Sequence, residues 1–154
     1  MILIYPAIFF EEEVVGYSVF FPGFPFATQG ENINDAFYMS TEFLGIQLND
    51  YYEEHKEFPT PLDINKIDVE EFMKKELNST DEEIKNAKYF KTLVPIDYYR
   101  FLKLSDKKII RKNVSIPRWL NKIGKRNNIN FSKVLKEALM KELGIDDIDE
   151  NYIM

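Results

Sequence analysis

A short strand with no partner nearby places the strongest constraint on how this chain can fold. The run RKNVSIP at 111–117 alternates polar and apolar side chains and ends in a proline, which predicts a strand over 109–116. Two amphipathic helices are predicted after it, over 117–126 and 130–143, joined by the turn NNIN. No second strand is predicted in this part of the sequence, so strand 109–116 lacks a pairing partner within its own module.

A module of about thirty-five residues is too small to bury a stable core by itself. A second copy of the chain is the simplest remedy, because two strands 109–116 could pair antiparallel about a twofold axis with the helices closing over their apolar face. Val114 and Ile116 would then point into a shared core. The helical residues predicted to join them are Trp119, Leu120, Ile123, Val134, Leu135, Ala138, Leu139 and Leu143. We therefore predict a homodimer formed through residues 109–143.

The polar face of the paired strands would present Arg111, Asn113 and Ser115 from each copy on one surface. A two-stranded ribbon fits the major groove of B-DNA, where arginine reads guanine and asparagine reads adenine. The N-terminus of the second predicted helix can hold a phosphate through its free amides. The residues predicted to contact DNA are Arg111, Lys112, Asn113, Ser115, Asn130, Phe131, Ser132 and Lys133.

This module resembles the ribbon-helix-helix family of dimeric repressors. The similarity lies in RKNVSIP, in Trp119 and Leu120 after it, and in INFSKVLKEAL at 129–139, so it covers roughly residues 109–143. The resemblance implies a dimer that binds operator DNA. A dimerisation hairpin without a DNA role is an alternative that the same residues leave open. Two DNA-contacting ribbons would require a tetramer, and the sequence leaves dimer or tetramer open.

The charge of the chain is divided between its two parts. Residues 1–100 hold 8 Lys and Arg against 19 Asp and Glu, a formal charge of −11, whereas residues 101–154 carry +5. Within the second part, the block at 103–141 holds 12 basic and 2 acidic residues, which gives +10. This division predicts two partners of opposite charge, although two solvated surfaces that merely differ would show the same pattern.

The first hundred residues predict an α+β fold, a small antiparallel sheet with a helix packed on one face. The predicted elements are strands at 2–10, 14–21 and 26–29, a helix from Asn32 to about Tyr52, a charged insert at 63–88 and a strand at 89–96. Glu11–Glu13 are predicted to form the first turn, and residues 97–108 a connector. The buried face of the second strand is predicted to carry Val15, Tyr17, Val19 and Phe21. The element order is therefore β-β-β-α-β.

These residues also resemble the HicB antitoxin family. The similarity rests on YPAIF at 5–9, GYSVFFP at 16–22, TQG at 28–30 and NDA at 34–36, and it covers about residues 3–60. It implies that residues 1–100 form a degraded RNase H-like domain that binds and blocks HicA, a small basic toxin that cleaves messenger RNA. It also implies that residues 101–154 form a DNA-binding domain that represses the operon of both proteins. The resemblance thus predicts the antitoxin of a type II toxin–antitoxin system.

Two segments depart from the family pattern. The loop FPGFPFATQG at 21–30 is one residue shorter than the common form and lacks its Asp and its Gly-Cys pair, so any toxin contacts of this loop must differ. The insert at 63–88 is longer and more charged than the family leads us to expect, and it contains a predicted helix start at Ser79–Glu83.

The candidate toxin contacts are acidic side chains and two loop aromatics. They are Glu11, Glu12, Glu13, Glu53, Glu54, Phe24 and Phe26, with Asp81–Glu83 as further acidic candidates. An acidic surface would be steered toward a basic ribonuclease and would compete with its RNA. The same carboxylates also fit an ordinary solvated surface, and both phenylalanines also fit packing beneath the loop.

No catalytic motif appears, and we expect neither enzyme activity nor a cofactor. The chain has no cysteine, which excludes disulfides and thiolate metal sites, and its one histidine, His55, is predicted to be an exposed residue near a helix end. A metal-dependent nuclease built on clustered acids, or a stand-alone ribbon-helix-helix repressor, is the alternative function. Neither a signal peptide nor a membrane span is predicted, so we expect a cytoplasmic protein with no membrane partner.

Overall fold

The computed structural model describes residues 1–14 and 16–145, and the chain forms two compact units, Met1–Leu102 and Lys103–Met154. The boundary predicted from the sequence, between 100 and 101, lies two residues before this division. No helix in the described part of the chain is long and apolar enough to cross a bilayer.

The first unit is built on a four-stranded antiparallel sheet in the order β3-β2-β1-β4. The strands are β1 (Ile2–Glu12), β2 (Gly16–Phe20), β3 (Ala27–Gly30) and β4 (Tyr89–Asp97). Strand β1 pairs on both sides, since Phe9 lies opposite Val19 of β2 and Phe90 of β4. The predicted return of residues 89–96 to the sheet is confirmed, and it makes β1 a central strand.

The turn predicted at Glu11–Glu13 is wrong in its position. Glu11 and Glu12 continue β1 opposite Tyr17 and Gly16, and the turn follows them. Glutamate has a low strand propensity, but Glu11 and Glu12 are accommodated because their side chains are exposed at the end of the strand. Gly16 begins β2 at φ +99°, a backbone conformation that glycine adopts without strain, and this shortens the predicted strand 14–21. Val15, predicted on its buried face, lies outside the described residues.

Helix α1 (Ile33–Glu53) covers one face of the sheet. It begins as the sequence predicts, because the Asn32 side-chain oxygen accepts a hydrogen bond from the Asp35 amide at 3.0 Å. Its buried residues pack on the odd-numbered positions of β1, where side chains share one side of the pleat. This cluster includes Tyr5, Ala7, Phe9, Val19, Phe21, Leu44, Leu48, Val94 and Ile96.

The second face of the sheet is covered as well, which corrects the predicted one-sided packing. The insert forms a short 3-10 turn (Ile64–Lys66) and helices α2 (Val69–Glu76) and α3 (Asp81–Asn86). Val69 and Met73 pack with Ile8 and Phe10 of β1 in a second buried cluster. Strand β1 is apolar at odd and even positions alike, so both of its faces require cover.

The connector predicted at 97–108 is largely helical, as α4 (Tyr98–Ser105). Tyr98 is fully buried, and its ring packs against Tyr52, Phe58 and Phe101 at centroid distances of 5.2 to 6.0 Å. The predicted connector is wrong here because the aromatic and apolar side chains of this segment pack in the first core, and their spacing alone does not indicate that packing.

The second unit contains α5 (Arg118–Arg126) and α6 (Phe131–Glu142), each within one residue of its predicted limits. The strand predicted at 109–116 is not formed, and residues 106–116 have no regular secondary structure. The predicted pairing needs the same segment of a second chain, so a single chain cannot satisfy the hydrogen bonds of this strand. The paired strand therefore stays a prediction.

Gly45 of α1 provides a test of the first core. A β-carbon added there would overlap the ring of Phe101. We predict that Gly45→Ala destabilises the protein by about 1–3 kcal/mol through overpacking, although alanine is the better helix former. Urea unfolding followed by circular dichroism measures the free energy.

The matched control is the same substitution in a Phe101→Ala background, where the space is open. Gly45→Ala should there cost little or stabilise, so the two positions should show a coupling free energy. An equal cost in both backgrounds would contradict steric overlap as the cause.

Tyr98 provides a test at alkaline pH. Burial, with smaller contributions from Tyr52 and Glu53, raises the pKa of Tyr98 to about 12. The folded protein favours the neutral phenol. The contribution of Tyr98 to the free energy of unfolding is therefore complete below pH 10 and is lost as the pH rises toward 12. We predict that Tyr98→Phe is less stable at neutral pH, because it loses the hydrogen bond to Asn49 Oδ1, but loses less stability between pH 9 and about 11. Urea unfolding against pH measures both, and identical alkaline losses in the two proteins would contradict the prediction.

Candidate interaction surfaces

The second unit leaves apolar side chains exposed, both on its two helices and in the segments outside them. Ile109 is 95% exposed and Trp119 63%, and the other residues of this kind are Ile110, Val114, Ile116, Leu120, Ile123, Ile129, Phe131, Val134, Leu139 and Leu143. Most of these are the residues predicted to form a shared core. An apolar surface of this extent on such a small unit is typical of an interface rather than of a free monomer surface.

Four of the predicted DNA contacts lie at the start of α6, where they have different local roles. The Asn130 side-chain oxygen caps the helix by accepting a hydrogen bond from the Lys133 amide at 3.0 Å. Phe131 packs against Gly124 of α5, where a β-carbon would meet its ring. Asn130 and Phe131 thus hold the turn between the helices, while Ser132 and Lys133 are exposed in the first turn of α6. The free amides of that turn are available for an anion.

The remaining predicted DNA contacts lie in the segment without regular structure. Arg111, Lys112, Asn113 and Ser115 are all exposed. The single chain does not bring them onto one flat surface, because only a paired ribbon holds alternate side chains on a common side. Their arrangement on DNA stays a prediction.

In the first unit, a groove of about 810 Å³ lies between the β1–β2 end of the sheet and the insert. It brings together five of the predicted acidic candidates, which are Glu11 and Glu12 of β1, Glu13 of the turn after it, and Glu82 and Glu83 of α3. These residues are about seventy positions apart in the chain, so their proximity was not predicted. We call this feature the acidic groove.

The apolar part of the acidic groove comprises Phe10, Phe20, Met73, Leu77 and Ala87. Phe10 is 6% exposed and Met73 5%, and the Phe10 and Phe20 rings meet edge to face at 5.7 Å. None of these residues was among the sequence candidates. The signal that could have pointed to a second covered face is the apolar character of the even positions of β1, which the one-sided prediction did not use.

The walls of the acidic groove are held by local hydrogen bonds. The Glu11 amide donates to the Lys88 carbonyl at 2.9 Å, and the Ser79 amide donates to the Met73 carbonyl at 3.0 Å. Thr80 and Glu83 form a capping box at the start of α3. The hydrogen bonds from Thr80 hold the pKa of Glu83 below its usual range, so this carboxylate stays charged.

The other toxin-contact candidates lie outside the acidic groove. Glu53 is the last residue of α1, and Glu54 follows it as an ion-pair partner of Lys56. Phe24 packs edge to face on Tyr5 at 5.2 Å, which favours its role in the core beneath the loop. Phe26 is 80% exposed and adopts φ +70°, so it is the loop aromatic that presents its ring to solvent.

His55 is exposed at the end of α1, as the sequence predicts. In residues 1–14 and 16–145, no group of three or more His, Asp or Glu side chains is arranged to hold a metal ion. This holds for the carboxylates of the acidic groove as well.

Comparison with known proteins places this fold among toxin–antitoxin proteins. A chain of the toxin–antitoxin complex from Streptococcus pneumoniae is 31% identical, with a TM-score of 0.58, over 92% of this chain and 99% of that chain. The antitoxin HicB of Burkholderia pseudomallei is 25% identical over 92% of this chain and 98% of its own, with a TM-score of 0.43. The antitoxin HicB3 is 20% identical over 91% and 97%, with a TM-score of 0.46.

No protein-family model matches the chain, and no curated protein matches it. The family is shown by the pneumococcal structure, because its 31% identity extends over 92% of this chain and 99% of that chain. The alignment is long enough to include residues of both compact units. This protein belongs to the same family as that component of a toxin–antitoxin complex.

Proposed function

We propose that the protein is a HicB-type antitoxin that neutralises a HicA-like, mRNA-cleaving toxin and represses its own operon. The acidic first unit would bind the toxin, and the second unit would bind operator DNA as a ribbon-helix-helix dimer. The observation that carries this proposal is the 31% identity to a toxin–antitoxin component over 99% of that chain.

The charge of the first unit supports the assignment of the toxin to this unit. Residues 1–100 carry a formal charge of −11, and acidic residues from two separate segments meet at one groove. A toxin that cleaves RNA must attract phosphates, so its surface is expected to be basic. An acidic partner is then steered to that surface and competes with RNA for it.

Two features of the second unit support its assignment as the DNA-binding part of the chain. Its block at 103–141 carries +10, which suits the phosphate backbone, and its exposed apolar helix faces suit closure by a second copy. Homodimerisation through 109–143 would supply the missing partner for strand 109–116. Two such ribbons on one operator would need a tetramer.

The alternative of a metal-dependent nuclease has no supporting observation among the described residues, because their carboxylates form no metal-holding group. A stand-alone repressor would use the second unit alone and would leave the acidic first unit without a partner. The first test that follows separates this alternative from the antitoxin, and the second tests the DNA-binding residues.

The first test is co-purification with the product of the neighbouring reading frame. We expect a small basic protein that stops growth when expressed alone, and co-expression of the full chain should restore growth. The pair should elute as one complex in size-exclusion chromatography. A chain that neither binds this product nor restores growth would refute the antitoxin function.

The second test concerns DNA. Arg111→Ala combined with Asn113→Ala should abolish binding to the DNA upstream of the gene and leave toxin binding intact, because these side chains would read base edges. Fluorescence anisotropy with labelled upstream DNA measures the affinity, which should fall steeply with salt in the unaltered protein.

The control for the DNA test is Lys141→Ala, which removes one positive charge near the end of α6, outside the predicted ribbon. It should lower affinity only slightly. If the double variant bound the DNA as well as this control, the groove-facing assignment of Arg111 and Asn113 would be wrong.

A further inference from the structure

The acidic groove combines two features that rarely occur together on a solvated surface. Its floor is apolar and its rim carries five carboxylates, Glu11, Glu12, Glu13, Glu82 and Glu83, against one cation, Lys88. An exposed acidic surface normally lies over polar residues, whereas here the rim encloses a recess lined by Phe10, Phe20 and Leu77.

The groove is preformed. Glu11 and Glu12 are held in the β1–β2 ladder opposite Tyr17 and Gly16. On the opposite wall, α3 is fixed by its capping box, and Ile84 and Ala87 pack into the second buried cluster. Binding of a partner therefore costs little conformational entropy for ordering the groove.

The chemistry of the groove selects its occupant. Phosphate groups would be repelled by the rim, so nucleic acid does not suit it. A bound metal ion does not suit it either, because the carboxylates of the described residues form no metal-holding group. A rim of spread negative charge around an apolar recess matches a peptide segment in which basic residues flank an apolar side chain.

The volume agrees with such an occupant. About 810 Å³ lies in the upper part of the range for pockets that hold a drug-sized ligand. This space accommodates a large apolar side chain and part of its neighbours, with the flanking cations left at the rim. Such an anchor in a desolvated recess contributes most of the binding energy at typical interfaces.

We propose that the acidic groove is the docking site for a basic segment of the toxin that carries an apolar anchor, and that the insert at 63–88 thereby sets which toxin the protein recognises. This inference rests on the proposed antitoxin function. The insert supplies α3 and one wall of the groove, so changes in the insert alter both the depth of the recess and the charge of its rim.

The test is charge reversal at the rim in the full-length protein. Glu12→Lys combined with Glu82→Lys should weaken binding to the neighbouring gene product by roughly tenfold or more, because like charges would face each other across the interface. Both side chains are exposed, so the fold should be retained. Isothermal titration calorimetry at two salt concentrations measures the affinity, and the variant should also show a weaker salt dependence.

The matched control is Glu31→Lys combined with Glu57→Lys, which makes the same change of charge at two exposed positions of the first unit outside the groove. It should alter affinity by less than about threefold, through long-range attraction alone. Upstream DNA binding should be the same in both variants, and circular dichroism should show the same unfolding midpoint. If the groove variant unfolds, Glu13→Lys, in the turn after β1, gives the same test with a single change.

Equal effects of the groove pair and the control pair would overturn the docking site while leaving the antitoxin function standing. Failure of the unaltered protein to bind the neighbouring gene product would refute the proposed function, and the docking site with it. A selective loss in the groove pair supports the assignment of the groove.

Discussion

Burial of β1 on both faces is the interaction on which the first unit depends. Its odd positions pack against α1, and its even positions pack against α2 and the rest of the insert. One strand therefore belongs to both apolar clusters. The central place of β1 between β2 and β4 follows from the same requirement, since a strand without exposed faces also needs neighbours at both edges. The insert is therefore a structural layer, and the acidic groove arises where this layer meets the end of the sheet.

The two units handle exposed apolar surface in opposite ways. The first unit covers both faces of its sheet within one chain, whereas the second leaves the apolar sides of α5 and α6 open. A unit of this size buries little core by itself, and the ribbon proposed for it would form only by association with a second copy. If the second unit acts as proposed, dimerisation and formation of the DNA-reading surface are one event. Toxin binding, by contrast, would use a site that a single chain already holds in place.

Local signals in the sequence were sufficient for most elements but not for their environment. The Asn32 cap, the capping box at Thr80 and the starts of α5 and α6 depend on side chains within a few residues of the helix end, and they could be predicted. The turn after β1 and the helix α4 could not. Glu11 and Glu12 join β1 because β2 pairs with them, and Tyr98 is helical and buried because it fills the core beside Phe58.

The sequence by itself determined the division of charge, the start of α1, the limits of α5 and α6 to within one residue and the alternation of RKNVSIP, because each is a property of neighbouring residues or of composition. Only the tertiary structure decided that the sheet is covered on both faces and that Glu11–Glu13 and Glu82–Glu83 share one apolar recess. The physical reason is that these residues are about seventy positions apart in the chain and meet only because α3 packs against the face of the sheet that carries Ile8 and Phe10. No pattern among neighbouring residues predicts such a contact.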